Sequence, residues 1–330
     1  MTNKREDEDL EMSKMGLVDG EIHQDKDKVT GDPPKQTTAS RIIDMACILL
    51  NIASTVTLVF LNKWIFRDPQ LKNMQISFAM WHFTCTTIVL WLASRSPFNL
   101  FVPVRLPFMQ MIPLCSFFAG FLILGNLSLA YNSVGFYQLA KIMTTPCVAV
   151  LQYFFLGKTV AGLTIVALAA VCIGVSLTNS NAAGTTTLGA SIAVAAFTVT
   201  AFYQVWIGKK MKDFAVSSPQ LLLNQAPISV LLLVFVAPFF DTVPNVQIIP
   251  NDTLIALFLS GIAAAALNLS QFLIIGRMSA LTFNVASNVK TILILTYGWV
   301  SEGREMTLKD ALGIILALGG ATLYSQLSQK

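Results

Sequence analysis

From residue 42 onward the chain alternates between long apolar runs and short polar or Gly/Pro-rich breaks. A helix rises about 1.5 Å per residue, so crossing the hydrocarbon of a bilayer takes about 20 largely apolar residues. Ten segments approach or meet that length: Ile42–Leu61, Gln75–Ala93, Pro107–Ala130, Val134–Leu156, Val160–Leu177, Leu188–Ile207, Pro219–Phe239, Leu254–Ile275, Ala280–Val300 and Leu308–Leu327. Breaks such as "RSPFNLFVPVR" and "FDTVPNVQIIPND" leave no room for a folded soluble domain. The pattern predicts an all-α membrane protein with ten transmembrane helices in residues 41–330, preceded by a tail at 1–40.

The pattern also repeats. A gapless shift of 146 residues lays Ser133 on Ser279, Gly157 on Gly303, Lys158 on Arg304 and Gly174 on Gly320, with hydropathy and loop positions in agreement. Trp64 and Trp206 are nearly in register. This predicts two five-helix halves, about 41–180 and 188–330. Five is odd, so the second half must be inverted in the membrane. Inverted repeats build alternating-access transporters, whose ligand site lies near midplane at the repeat interface.

Composition sharpens the picture. The chain is 54% hydrophobic and only 12% charged, with mean hydropathy +0.64, whereas soluble domains carry about a quarter charged residues. Residues 1–40 hold ten acids and six Lys or Arg, which predicts a disordered acidic cytosolic tail. That tail has neither a secretory nor a transit pattern, so the first span is expected to act as an uncleaved signal. With ten spans and a cytosolic tail, fifteen Lys/Arg fall on the cytosolic side and five on the other, in line with the positive-inside rule and cytosolic termini. "NDT" at Asn251–Thr253 is an N-glycosylation sequon in a loop placed on the far side.

The loop bases are scattered, with no stripe for nucleic acid. The five cysteines sit in apolar runs without metal spacing, and His82 stands alone, so no metal and no cofactor is expected. Neither a Walker loop nor a catalytic constellation is present, which argues against an enzyme. A homo-oligomer is left open.

Two lysines carry the chemistry. Lys141 is the eighth residue of the fourth span and Lys290 the eleventh of the 21 in the ninth. A charge at mid-bilayer costs about 2.5–3.5 kcal/mol on insertion scales. Every acid after Asp44 lies in a loop or near a span end, so no carboxylate is at hand. The economical resolution is that the anion arrives as substrate, in a water-filled cavity. The alternative is that each lysine snorkels or bonds structurally within the bundle.

The neighbours favour the first reading. At 100° per residue, Tyr137, Gln138, Lys141, Thr144 and Thr145 cover an arc of about 120°, and Asn284, Ser287, Asn288, Lys290 and Thr291 one of about 160°. Pro146 frees the Ile142 carbonyl and is expected to bend the fourth span just past the lysine. The seventh span adds Asn224 and Gln225, amides suited either to a nucleobase edge or to interhelical bonding. Tyr203, Gln204, Asn268, Ser270 and Gln271 are weaker candidates of the same kind. Gly125, Gly174, Gly261, Gly313, Gly319 and Gly320 read as close-packing positions.

"SVGFYQLAKIMTTPCVAVLQYFFLGK", "YQVWIGKK", "LLLNQAPIS" and "FNVASNVKTILILTYGWV" give the chain, from about Arg41 to Leu327, a further character. It resembles the nucleotide-sugar and triose-phosphate translocator family of the drug/metabolite transporter superfamily, closest to the E-type branch of solute carrier 35. Lys290–Thr291 resembles the Lys-Thr signature of one subgroup. The resemblance implies ten helices, cytosolic termini and a Golgi or endoplasmic reticulum membrane. It also implies exchange of a cytosolic nucleotide sugar for the lumenal nucleotide monophosphate. The family's phosphate-binding lysine on the ninth helix maps to Lys290, and that of the plastid members on the fourth to Lys141. The nucleobase-reading motif maps loosely to Asn224 and Gln225. The Phe-Tyr-Asn-Asn pattern of GDP-mannose carriers is missing and their Gly-Ala-Leu-Asn-Lys is replaced by "ASNVK", so a UDP-sugar is favoured. UDP-xylose and UDP-galactose occur among the Lys-Thr relatives. Two rivals stand beside this. One is exchange of a sugar phosphate or phosphoenolpyruvate for phosphate, and the other a non-transporting membrane scaffold whose acidic tail binds partners.

Overall fold

Inside hydrocarbon a chain must satisfy its own backbone N–H and C=O groups, and an apolar run does this by forming an α-helix. The computed structural model describes residues 38–71, 74–132, 134–178, 186–242, 249–301 and 307–328. Among these every regular element is helical. In chain order they are α1 (Thr38–Ile65), α2 (Gln75–Ala93), α3 (Phe108–Tyr131), α4 (Val134–Ile142), α5 (Thr144–Leu156), α6 (Gly162–Thr178), α7 (Thr187–Asp213), α8 (Ser218–Phe240), α9 (Asn251–Arg277), α10 (Ala280–Ser301) and α11 (Leu308–Ser328). Residues 43–330 cluster as one unit and residues 1–42 as another. Most of the expected acidic tail lies outside the described residues, as do Ser133, Gly303 and Arg304 of the repeat.

Six of these helices are long and apolar enough to cross a membrane, within α1, α2, α3, α7, α8 and α9. Shorter apolar helices cover Ala140–Leu156 and Gly162–Leu177. Their outward faces carry Phe154, Phe235 and Phe239, each more than two-thirds exposed, and α11 adds Ile315. A surface of that kind is at home in lipid and not in water.

The fourth expected span, Val134–Leu156, is not one helix. It breaks between α4 and α5 at Met143, whose N–H turns back to the Ala140 carbonyl at 3.1 Å in a tighter turn. Pro146, three residues on, has no N–H to offer Ile142, so the α-helical ladder cannot run through. Lys141 therefore sits in the last turn of α4, where the helix dipole favours a cation. Some spans also run further than their apolar cores. α7 continues through "GKKMKD" to Asp213, because lysines form helix well and suit a C-terminus. Gly157 ends α5 in the left-handed region, at φ 62°, which a residue with a Cβ rarely adopts.

α2 packs on α8 and α9, α3 on α7 and α8, and α5 on α7. The most extensive contact is α6 against α11. A Cβ at Gly174 would lie 2.5 Å from the Ala317 nitrogen and 2.6 Å from the Gly313 oxygen. One at Gly320 would lie 2.8 Å from the Ala167 oxygen and 2.9 Å from the Val171 nitrogen. The 146-residue shift carries Ala167, Val171 and Gly174 onto Gly313, Ala317 and Gly320. The contact is thus the same set of positions taken twice, with the helices antiparallel. Gly261 approaches Cys85 of α2 just as closely. The expectation fails at Gly125 and Gly319, where an added Cβ meets nothing within 4 Å. Gly125 borders a cavity and Gly319 is exposed.

The contrast is testable by thermal denaturation in detergent. Gly174→Val should lower stability by about 1–3 kcal/mol through overpacking against backbone, whereas Gly319→Val should leave the midpoint near wild type.

Candidate functional site

The break between α4 and α5 brings a charge to a hollow in the bundle. A cavity of about 140 Å³ lies among α3, α4, α5, α7, α9 and α10, and Lys141 is the charged side chain in its described lining. The Lys141 ammonium stands over the Tyr137 ring, 5.3 Å from its centroid. Among the described residues neither Lys141 nor Lys290 has a carboxylate within ion-pair distance.

The opposite wall is the polar stripe of α10. Asn284, Ser287, Asn288 and Thr291 recur at the spacing that puts residues on one helical face, and all four line the cavity. Each is held. The Asn284 amide donates to Gln204 Oε1 of α7 and, at 2.9 Å, to the Ala280 carbonyl. Asn288 Nδ2 donates to Thr145 Oγ1 of α5 at 3.1 Å, joining the helix break to the stripe. Thr291 Oγ1 donates to the Ser287 carbonyl at 3.1 Å. Gln271 of α9 adds a fourth amide to the lining. The remaining wall is aromatic. Phe121 and Tyr203 stack with centroids 6.0 Å apart and planes 10° from parallel, and Phe283 completes the surface. A smaller hollow of about 40 Å³ adjoins the cavity at Lys141 and Thr144, lined also by Tyr137, Gly125 and Ser128.

Lys290 sits apart from this lining. It is 7% exposed, and its Nζ donates to Asn51 Oδ1 at 2.6 Å and Thr55 Oγ1 at 3.3 Å, both on α1. Phe283, whose ring lines the cavity, lies 5.4 Å from the ammonium at its centroid. Asn51 in turn donates to Ser270 Oγ at 2.9 Å. The α1 partners were not anticipated from the sequence. Asn51 is visible there as a polar residue in an apolar run, but nothing local points to a partner 239 positions away.

The two amides of α8 are elsewhere. Asn224 donates to the carbonyls of Val104 at 2.7 Å and Gln220 at 2.8 Å and accepts from the Leu106 N–H at 3.0 Å. It ties the α2–α3 connection to α8. Gln225 is fully buried behind the cavity wall, donating to the Tyr203 hydroxyl at 2.9 Å. The Gln138 side chain lies outside the described residues. Of the weaker candidates, Tyr203, Gln204 and Gln271 line the cavity. Asn268 instead donates to Thr86 Oγ1 of α2 at 3.0 Å, and Ser270 serves Asn51.

What this lining can do is bind an anion by one ammonium and orient a polar body with amides and hydroxyls against an aromatic face. Residues 44–325 match the model of the Triose-phosphate Transporter family. The chain belongs to the triose-phosphate transporter family. Its relatives in that family include UDP-rhamnose/UDP-galactose transporter 1 of Arabidopsis thaliana, 29% identical over 89% of this chain and 86% of that protein. UDP-xylose transporter 1 of Arabidopsis thaliana is 30% identical over 85% of this chain and 83% of its own length. One solved crystal structure superposes on 89% of this triose-phosphate transporter family member and on all of its own chain, with TM-score 0.69 at 15% identity. That likeness concerns the fold alone.

Asn224 is then expected to behave as a strut. Asn224→Leu leaves the Leu106 N–H and Val104 carbonyl without their partner, which should cost about 1 kcal/mol in thermal stability. It should also speed tryptic cleavage at Arg95 or Arg105 in the loop it holds.

Proposed function

We propose that this protein is a nucleotide-sugar antiporter with a preference for a UDP-sugar. It exchanges a cytosolic nucleotide sugar for the lumenal nucleotide monophosphate across a Golgi or endoplasmic reticulum membrane, with both termini cytosolic. The observation that carries this is the cavity's donor set: the Lys141 ammonium facing Asn284, Ser287, Asn288 and Thr291, with Gln204 and Gln271 beside them and no carboxylate in the described lining. The UDP-sugar relatives support the choice of cargo. In this reading Lys141 and Lys290 hold the diphosphate by charge-assisted hydrogen bonds. The amides and hydroxyls of α10, with Gln204, Gln271 and the Phe121–Tyr203 pair, hold the base and sugar. Asn224 and Gln225, expected to read the base, enter this reading indirectly, Gln225 by holding Tyr203 from behind the wall and Asn224 by bracing the adjoining loop.

Ten spans in two inverted halves, about 41–180 and 188–330, remain the architecture we favour. The antiparallel α6–α11 contact supports it, because positions related by the 146-residue shift meet each other's partners. Such reciprocity is what a two-fold relation produces. Antiparallel helices further require the axis to lie in the membrane plane.

One observation favours the rival reading, a sugar phosphate or phosphoenolpyruvate exchanged for phosphate. At about 140 Å³ the cavity is smaller than the roughly 300–1,000 Å³ of sites for drug-sized ligands. A UDP-sugar therefore needs a wider conformation than this one, as alternating access supplies.

Counterflow in reconstituted liposomes separates the two. UMP-loaded vesicles should take up UDP-galactose or UDP-xylose in preference to GDP-mannose. Lys141→Ala and Lys290→Ala should each slow exchange by about tenfold or more, the loss of one charge-assisted contact. Uptake of phosphoenolpyruvate against phosphate, with no response to nucleotides, would establish the rival instead.

A further inference from the structure

The partners of Lys290 are neutral and oriented. Asn51 commits its amide N–H groups to Ser270 Oγ at 2.9 Å and to the Leu267 carbonyl at 3.4 Å, so its Oδ1 faces the ammonium. Thr55 commits its hydroxyl proton to the Asn51 carbonyl at 2.7 Å, which turns an oxygen lone pair toward the same ammonium. Two acceptors on successive turns of α1 are thus aimed at one buried cation. Neither is an acid, and no carboxylate lies within ion-pair distance among the described residues.

From this arrangement we infer that Asn51, with Thr55, is a positioning residue that holds the Lys290 ammonium in place of an anion when the carrier is empty, and that the incoming anion takes Lys290 from it. The inference rests on the proposed role of Lys290 as a ligand of the transported anion. The ammonium–amide bond is charge-assisted by its donor alone, whereas an ammonium–phosphate bond adds the attraction of two opposite charges. A phosphate oxygen therefore outcompetes an amide carbonyl, while a carboxylate at position 51 would not give way. The path is short. Lys290 lies about 60° around α10 from Ser287, which lines the cavity. Its flexible four-carbon stem gives the ammonium reach toward that wall, with Phe283 between.

The experiment is isothermal titration of the purified full-length protein with UDP-galactose, UMP and inorganic pyrophosphate, comparing wild type with Asn51→Asp, Asn51→Ala and Thr55→Val. Opposite signs at one position are expected. Asn51→Asp should weaken anion binding about tenfold or more, because a permanent carboxylate retains the ammonium. Asn51→Ala and Thr55→Val should each tighten it by about threefold, because a competitor is gone. A purely structural role would weaken binding in all three. Asn51→Asp binding as tightly as wild type, or Asn51→Ala weakening it as much as Asn51→Asp, overturns the inference. Should neither Asn51 variant purify folded, the near-isosteric Thr55→Val decides, and unchanged or weaker binding there overturns it. Pyrophosphate binding with the expected pattern, and no binding of UDP-galactose or UMP, upholds the role of Asn51 and removes the nucleotide-sugar reading. Wild type binding none of the three overturns both.

Discussion

An ammonium group in an apolar bundle needs water or something in its place, and among the described residues neither Lys141 nor Lys290 has a carboxylate within ion-pair distance. The structure meets that constraint in two ways. Lys141 is delivered to a hollow by a broken helix, over the face of Tyr137. Lys290 is buried and met by two oriented neutral oxygens. Much else follows from these solutions. The break at Met143 exposes the lysine, Thr145 at the start of α5 anchors Asn288, and the α10 stripe facing the break becomes the opposite wall.

The helices around the site are joined by two kinds of contact. α6 and α11 meet backbone to backbone at Gly174 and Gly320, a close fit that tolerates little sliding. Elsewhere, helix ends are tied by polar groups. Arg277 at the end of α9 pairs with Asp44 of α1 at 2.7 Å. The Asp241 carboxylate at the end of α8 accepts from the Ile76 and Ser77 N–H groups at the start of α2, where a helix N-terminus favours an anion. The Asp44 side chain is buried, so its pair with Arg277 is a firmer tie than an exposed surface pair. A bundle with one dry seam and polar ties at its helix ends is compatible with the alternating-access reading proposed above.

The residues legible in the sequence were those whose signal is local. Apolar run length marked the helices, Pro146 marked the break, and the polar spacing of Asn284, Ser287, Asn288 and Thr291 marked a face that does line the cavity. What escaped notice depended on distant partners. Asn51 is one amide in an apolar run until α10 is folded against it. Asn224 and Gln225 look the same in sequence whether they read a ligand or brace a loop, and only the positions of Val104, Leu106 and Tyr203 distinguish these. Gly125 and Gly319 share the composition of a packing glycine but have no facing backbone.

The cavity leaves two properties in tension, its size and its chemistry. Size alone would favour a small phosphate ester. Chemistry points the other way: in the described lining the Lys141 ammonium is accompanied by Gln204, Gln271, Asn284 and Asn288, four amides that a bare phosphate has little use for. Volume is the softer of the two, since a hinge or a rotated Phe283 changes it, whereas the donors and acceptors along the wall are set by the side chains themselves. Burying Gln204, Asn284 and Asn288 also carries a cost unless they are paired, and at present Gln204 and Asn284 pair with each other while Asn288 pairs with Thr145. A ligand rich in carbonyl, imide and hydroxyl groups can replace that pairing while its diphosphate engages the lysines. This is why the donor set, and not the present volume, carries the argument for a nucleotide sugar.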